Sequence, residues 1–169
     1  MTGNNPVDRS KLGTKRHILT DEIGIPLSAV ISSASTHDIK VVTEVIDNAV
    51  VVIKSPEALL STIKTRRKNH QHLCLDRAYN SKPIENEIIK RGYVPHIPYK
   101  RKRGQKKEDK TYQKKYSYAK NKRWVVERTN SWHNRFRKLF TRYEKKVENY
   151  LGLIQLSCSI IIYKKIILG

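Results

Sequence analysis

The stretch HLCLDRAYNSKPIENEIIKRGYVPHIPYK (residues 72–100) says most about the fold of this chain. Its first part, residues 72–79, is a short apolar run that predicts a buried strand. Residues 81–92 predict a helix, because a proline falls in its first turn and a glycine follows its end. Residues 93–100 predict a second strand, and its prolines favour an edge position.

A β-hairpin is predicted upstream of this stretch. Its arms are residues 14–20 and 26–33, and its turn, Asp21–Gly24, ends on a glycine that supplies a positive φ. Residues 36–50 predict a helix with Asp38 as its N-cap. The apolar stripe of this helix is Val41, Val42, Val45, Ile46 and Ala49.

Helices are predicted downstream of residue 110. Residues 112–146 are dominated by a basic helix that carries Glu127, and residues 147–166 form the final helix. The core face of the Glu127 helix is predicted to be Val125, Trp132, Phe136, Leu139 and Tyr143. Between the sheet and these helices, residues 100–110 are a basic run that is expected to be flexible.

With 169 residues the chain is one domain, or most of one. The order of elements is ββα, then β, α, β, then helices, which indicates an α/β (α+β) fold with a mixed sheet flanked by helices. The expected division is a loop over 1–13, a sheet region over 14–110 that contains Asp76, and C-terminal helices over 111–169 that contain Glu127.

The charge of the chain points to a polyanionic partner. There are 35 Lys and Arg against 15 Asp and Glu, a net charge of +20, and the pI is near 10.1. DNA, RNA or an anionic membrane surface fits such a charge. The alternative is a basic protein of the ribosomal type.

Compartment and membrane signals favour a cytoplasmic protein. Cys74 and Cys158 lie in apolar runs without a CxxC spacing, so we expect no zinc site, no disulfide and a reducing compartment. The N-terminal residues lack the apolar region of a signal peptide. Residues 151–163 are the most apolar stretch, but they are too short to cross a bilayer and predict a buried helix instead.

Two acids are candidates for chemistry. Asp76 ends the strand predicted at residues 72–79, where a charge is costly to bury unless a partner or a metal compensates. The basic and aromatic side chains of Arg77 and Tyr79 follow it, as in the wall of a site. The alternative is that Asp76 caps the helix that begins near Ser81.

Glu127 is the second candidate acid. At 100° per residue it lies about 200° from Val125, so it points away from the predicted core face. The alternative is a solvated glutamate paired with Arg123 one helical turn away, which is worth only a few tenths of a kcal/mol.

Two carboxylates in a basic protein suggest metal-dependent chemistry on nucleic acid. Two Mg²⁺ ions about 3.5–4 Å apart can activate a nucleophile and stabilise the charged oxygens of a phosphodiester. Mg²⁺ prefers carboxylate oxygens and keeps several waters, so two or three carboxylates suffice. The histidines lack the HxxxH spacing of a zinc site.

Three segments of the chain resemble a known family. They are residues 2–38, residues 73–102, which include LCLDRAYNSKP, and residues 123–145, which begin RWVVERTNSWHNRF. In this order they resemble the C-terminal part of an IS5-like bacterial insertion-sequence transposase of the broad IS4-type DDE group. The resemblance covers nearly the whole chain, and it implies a ribonuclease-H-like fold and an Asp-Asp-Glu triad that uses Mg²⁺, with Mn²⁺ as the alternative.

The resemblance also implies roles for individual residues. Asp76 is the second acid of the triad and Glu127 is the third, and both hold metal. Arg123 matches the arginine of the family's Tyr-Arg-Glu-Lys signature. Two positions depart from that signature: Lys120 replaces its tyrosine and Asn134 its lysine. Tyr118 and Arg135 are the nearest substitutes.

The first acid of the triad has no evident counterpart here. In the family it lies on a strand upstream of the segment with which this chain begins, and Asp8, Asp21 and Asp38 are poor replacements. We therefore expect a catalytic domain that lacks its first strand and first metal ligand. A split-frame product, a remnant and a mis-started gene are all compatible with this sequence.

The predicted function is transposition of an insertion sequence by Mg²⁺-dependent strand cleavage and strand transfer. The predicted partners are element ends and target DNA, with a second copy of the chain or the product of a complementing upstream frame, and the expected location is the cytoplasm, at the nucleoid. The alternative is a non-catalytic basic DNA-binding protein. Predicted DNA contacts are Lys15, Arg16, Arg77, Lys100, Arg101, Lys102, Arg103, Arg128, Arg135, Arg137 and Lys138.

Overall fold

The computed structural model describes residues 2–5, 11–49, 71–98, 122 and 124–168. The chain divides into two compact units. The first unit comprises residues 1–49 and 124–169, and the second comprises residues 50–123. The predicted basic run over 100–110 lies outside the described residues.

The first unit contains an antiparallel sheet in the order β1–β2–β3. Its strands are β1 (Gly3–Asn4), β2 (Leu12–Thr20) and β3 (Pro26–Ser33). The predicted hairpin is confirmed, with a first arm that begins slightly earlier than expected. The predicted loop over 1–13 is wrong in part, because backbone pairing of Gly3 with Gly13 makes strands of residues at both ends of it.

The turn between β2 and β3 is fixed by its own side chain and by a glycine. Asp21 Oδ1 accepts hydrogen bonds from the backbone N–H groups of Ile23, at 3.0 Å, and Ile25, at 2.8 Å. Gly24 has a φ of +86°, which confirms its predicted role. The tip of the hairpin is therefore held in one backbone conformation.

A short helical segment follows the hairpin. A 3₁₀ helix (Asp38–Lys40) precedes α1 (Val42–Asp47). The predicted N-cap role of Asp38 is wrong, because the ring of His37 accepts the hydrogen bond from Ile39 N–H, and Asp38 pairs with Lys15 at 2.9 Å. The predicted stripe is confirmed at Val41, Val42, Val45 and Ile46, which are buried.

Three helices complete the described part of the first unit. They are α2 (Trp124–Asn134), α3 (Arg137–Phe140) and α4 (Val147–Ile166). The bounds predicted for the final helix are confirmed. Ile31 of β3 packs with Leu139, Tyr150 and Ile154 of the helices to form a buried cluster, so one part of the core of this unit lies between the sheet and α3–α4.

The prediction that a single helix dominates residues 112–146 is wrong for the described residues. Helix α2 ends at Asn134, and the residues after Phe140 are not helical. Side chains beyond the end of α2 therefore no longer follow the predicted spacing of 3.6 residues per turn. Tyr143, predicted to be in the core, is 77% exposed, whereas Val125 and Leu139 are buried as expected. Trp132 is only half-buried.

The second unit contains a strand–helix–strand arrangement. Its elements are β4 (Gln71–Cys74), a 3₁₀ helix (Arg77–Tyr79), α5 (Lys82–Lys90) and β5 (Tyr93–His96). Strands β4 and β5 pair in parallel. The predicted helix and second strand are confirmed, but both strands are shorter than predicted. The first ends at Cys74 rather than at residue 79, and the second ends at His96 rather than at residue 100. Among the described residues of this unit, Leu73, Ile88 and Ile97 are buried.

The described elements form a mixed α and β structure, as predicted. Cys74 and Cys158 are both free and half-buried, as expected for a chain without a disulfide framework. Within the described residues, no helix combines the length and the apolar character needed to cross a bilayer.

Candidate active site

Asp76 lies just after β4, in the loop that leads to the 3₁₀ helix of the second unit. Its side chain is exposed rather than buried, because the strand ends two residues earlier. Its Oδ1 accepts a hydrogen bond from the backbone N–H of Arg77 at 2.6 Å and so caps the 3₁₀ helix. The alternative that Asp76 caps the later helix near Ser81 is therefore wrong, because Asp76 caps this shorter helix, and the carboxylate stays at the surface.

His72 on β4 and His96 on β5 form a pair in the same unit as Asp76. His72 Nδ1 and His96 Nε2 are 2.7 Å apart, and the two rings stack with centroids 4.9 Å apart. Burial, and then the neighbouring His72, lowers the pKa of His96. The contact of His72 with His96 depends on the parallel pairing of β4 with β5, which no local pattern reveals.

Glu127 lies in the first turn of α2, in the first unit, and its side chain is exposed. The buried residues of the helix are Val125, Thr129 and His133, at a spacing of four. The prediction that Glu127 points away from the core is therefore confirmed. An acid in the first turn is also favoured by the positive end of the helix dipole.

The neighbours of Glu127 along the helix are closely packed. The guanidinium of Arg128 lies 4.4 Å from the ring centroid of Trp124 and 5.1 Å from that of Trp132. Lys165 Nζ lies 4.9 Å from the Trp132 ring. Trp132 is thus held between two cations at the surface, which corrects its predicted place in the core.

His133 is a buried polar residue that the sequence did not reveal. It is fully buried, and its Nδ1 lies 2.8 Å from Ser157 Oγ. Because Ser157 donates its one hydroxyl proton to Ile154 O at 2.7 Å, the imidazole must donate to the serine. Burial, and then Arg16, lowers the pKa of His133 to about 4, so the ring is neutral at pH 7.

The cysteine beside this histidine is not activated. Cys158 Sγ lies 3.8 Å from His133 Nε2, and burial raises its pKa to about 11. A thiol with so high a pKa is a poor nucleophile at neutral pH. The His133–Ser157–Cys158 cluster is therefore part of the core of the first unit.

Several predicted DNA-contacting residues are described. Arg77, Arg135, Arg137 and Lys138 are exposed. Lys15 and Arg16 are half-buried: Lys15 Nζ donates to Thr36 O and Asp38, and Arg16 Nη2 donates to Asn134 at 2.8 Å. Arg123 and residues 100–103 lie outside the described residues.

An open cleft of about 500 Å³ lies between β2 and the α3–α4 connection. Its wall includes the cations Arg16, Arg142 and Lys145, the acid Glu144, and the aromatic ring of Tyr143. Phe140 also borders the cleft and is 71% exposed. Arg142 donates to Thr14 and to the carbonyls of Glu144 and Lys145, and so shapes the loop that presents Tyr143 to solvent.

The two acids belong to different units, each described by itself, so their predicted convergence stays a prediction. Among the described residues, no group of three or more His, Cys, Asp or Glu side chains is arranged to hold a metal ion. What Asp76 and Glu127 share is an exposed carboxylate beside an arginine. Such oxygens have the chemistry that Mg²⁺ and Mn²⁺ prefer.

Comparison with known proteins gives two matches of high coverage. The family model described as "Transposase DDE domain" matches residues 2–162. The "Putative transposase for insertion sequence element IS402" of Burkholderia cepacia is 32% identical over 160 residues, which cover 95% of this chain and 67% of that protein. No solved structure gave a significant match.

Proposed function

Because this chain belongs to the family of transposase DDE domains, we propose that it acts in the transposition of an insertion sequence by cutting and joining DNA strands. The observation that carries the proposal is the family match over residues 2–162, which includes both exposed acids. The three segments that resemble IS5-like transposases support a place in that group and a ribonuclease-H-like arrangement of the sheet.

We propose that Asp76 and Glu127 hold the divalent metal, Mg²⁺ or Mn²⁺. Their exposed carboxylates fit such an ion, because they offer hard oxygen ligands. When bound, the metal supplies activation of the attacking oxygen and stabilisation of charge on the phosphate. Arg123 is proposed to orient Glu127 or to contact phosphate.

The chain's own cations are proposed to bring DNA to these acids. Arg77 follows Asp76 directly, and Arg128 follows Glu127 directly. Exposed Arg135, Arg137 and Lys138 extend the positive surface beyond α2. Lysine and arginine contacts with phosphates provide affinity without sequence preference.

Asp21 and Asp38, two described aspartates upstream of Asp76, are poor candidates for the first acid of the triad. Asp21 uses Oδ1 to fix the hairpin turn, and Asp38 forms an ion pair with Lys15 at 2.9 Å. Recruiting either one would break a contact that supports the first unit. We therefore propose that the first acid is supplied by another residue or by a partner chain.

A Mn²⁺ titration of the purified protein, followed by the EPR signal of free Mn²⁺, tests the proposed site. Asp76→Asn and Glu127→Gln should each weaken Mn²⁺ binding strongly. Glu148→Gln removes the same charge from an exposed position on α4 and should leave binding unchanged. Unchanged binding in both site variants, with DNA affinity intact, would favour the non-catalytic DNA-binding alternative.

A further inference from the structure

The tip of the β2–β3 hairpin is bonded to α2 immediately after Glu127. Thr129 Oγ1 donates to Gly24 O at 2.7 Å, and Arg128 Nη2 donates to Ile23 O. Thr129 is fully buried. We call these two hydrogen bonds the turn–helix contact. It joins residues far apart in sequence, so it fixes tertiary structure rather than the helix alone.

The turn side of this contact is rigid. Asp21 Oδ1 holds the N–H groups of Ile23 and Ile25, and Asp21 N–H donates to Ile25 O at 3.0 Å. A Cβ at Gly24 would lie 3.0 Å from both Arg128 Nη2 and Thr129 Oγ1. Gly24 is therefore required for its positive φ and for the close approach of the helix.

The helix side is also fixed. The guanidinium that donates to Ile23 O lies between the rings of Trp124 and Trp132, one turn before and one turn after it. This stacking limits the rotamers open to Arg128. The turn carbonyls therefore meet donors that are already oriented.

The position of the turn–helix contact matters because Glu127 lies in the first turn of α2. The first N–H groups of a helix lack intrahelical partners, and helix ends fray. Each residue of slip along a helix changes the position by about 1.5 Å and the direction by about 100°. The hydrogen bonds of Arg128 and Thr129, the next two residues, prevent such a shift of Glu127.

We propose that the turn–helix contact positions the Glu127 carboxylate, with Thr129 and Asp21 as positioning residues that touch neither metal nor DNA. The inference rests on the proposed function, because it takes Glu127 to be a metal ligand. Thr129 acts from the helix side, and Asp21 acts from the hairpin side through the turn backbone.

The test measures Mn²⁺ affinity and melting temperature for six variants of this chain. Thr129→Val keeps the shape but removes the hydroxyl, and it should weaken Mn²⁺ binding about tenfold, as loss of supporting contacts does in other metal sites. Asp21→Ala should weaken it in the same direction. Thr129→Ser keeps the hydroxyl and should restore near-wild-type affinity.

Ser157→Ala is the matched control, since it removes another buried hydroxyl of the same unit. It should lower the melting temperature without changing Mn²⁺ affinity. Wild-type affinity in Thr129→Val and Asp21→Ala, with affinity lost in Glu127→Gln, would overturn the positioning role and leave the proposed function standing. Full affinity in Glu127→Gln and Asp76→Asn would overturn both. If Thr129→Val does not fold, Asp21→Ala decides alone.

Discussion

At the scale of single residues, contacts between distant parts of the chain decide where several side chains lie. Glu127 was predicted to face away from the core, and it does, because the spacing of Val125 along α2 fixes that direction. The burial of His133 was not predictable, since Ser157 and Cys158 meet it only after α4 folds back. Trp132 was misplaced because an apolar ring can also stack on cations at the surface.

His133 should make the fold sensitive to acid. Its pKa is lowered to about 4 in the folded protein, whereas an unfolded histidine titrates near 6.5. As the pH falls below about 6.5, the unfolded chain takes up the proton first, so stability decreases by up to about 1.4 kcal/mol per pH unit until the pH nears the folded pKa.

Melting temperatures measured between pH 7 and pH 5 check this effect. They should fall for the wild-type protein and fall less steeply for His133→Gln. The exposed His37 serves as the control site, and His37→Gln should keep the wild-type pH dependence. An equal slope in His133→Gln and the wild type would show that another group controls the acid response.

At the scale of elements, boundaries were predictable where a local rule sets them. The hairpin, α5 and α4 have turn glycines, a proline in the first turn or a sustained apolar run, and their observed bounds lie within two residues of the predicted ones. The end of α2 was missed because the apolar pattern continues through Phe136 and Leu139 while the backbone changes direction. The strand at residues 72–79 was overextended because Asp76 starts a 3₁₀ helix of its own.

Substitution by alanine should destabilise the protein to very different extents at two positions on α4. Ile154 is fully buried in the cluster with Ile31 and Leu139, whereas Leu156 is 58% exposed. Ile154→Ala should cost about 2–5 kcal/mol of unfolding free energy. Leu156→Ala, measured by the same denaturant titration, should cost far less, and similar losses at both positions would mean that a partner covers the Leu156 face.

The cleft beside α3 should contribute to nucleic-acid binding through Tyr143. Its ring is exposed next to Arg16 and Lys145, and aromatic rings among cations stack on unpaired bases. Tyr143→Ala should weaken binding of single-stranded DNA by about 1 kcal/mol or more, measured by fluorescence anisotropy. Tyr163→Ala, at an exposed tyrosine of α4, is the control, and an equal loss there would argue against the cleft.

At the scale of the whole molecule, the net charge of +20 predicts how the chain meets DNA. Neutralising six to ten phosphates lowers affinity by about 10³–10⁵ between 50 and 200 mM salt. Duplex titrations at these two salt concentrations should show such a decrease, with little dependence on sequence. Binding that is insensitive to salt would contradict a mainly electrostatic contact.

The arrangement of the active site is the part that sequence patterns could not supply. Charge and motifs predict the two acids, but the predicted convergence of Asp76 and Glu127 is a property of tertiary structure, which no periodicity encodes. The family match spans both acids, and their proposed convergence on one metal is the central claim.

The most direct test of that claim replaces Mg²⁺ with Fe²⁺ and maps where the protein backbone is cut by locally generated hydroxyl radicals. If both acids hold the same metal, cuts should appear near Asp76 and near Glu127 together. Both sets of cuts should disappear in Asp76→Asn and equally in Glu127→Gln. Cuts confined to one segment, or cuts near one acid that persist when the other is substituted, would contradict a shared metal site.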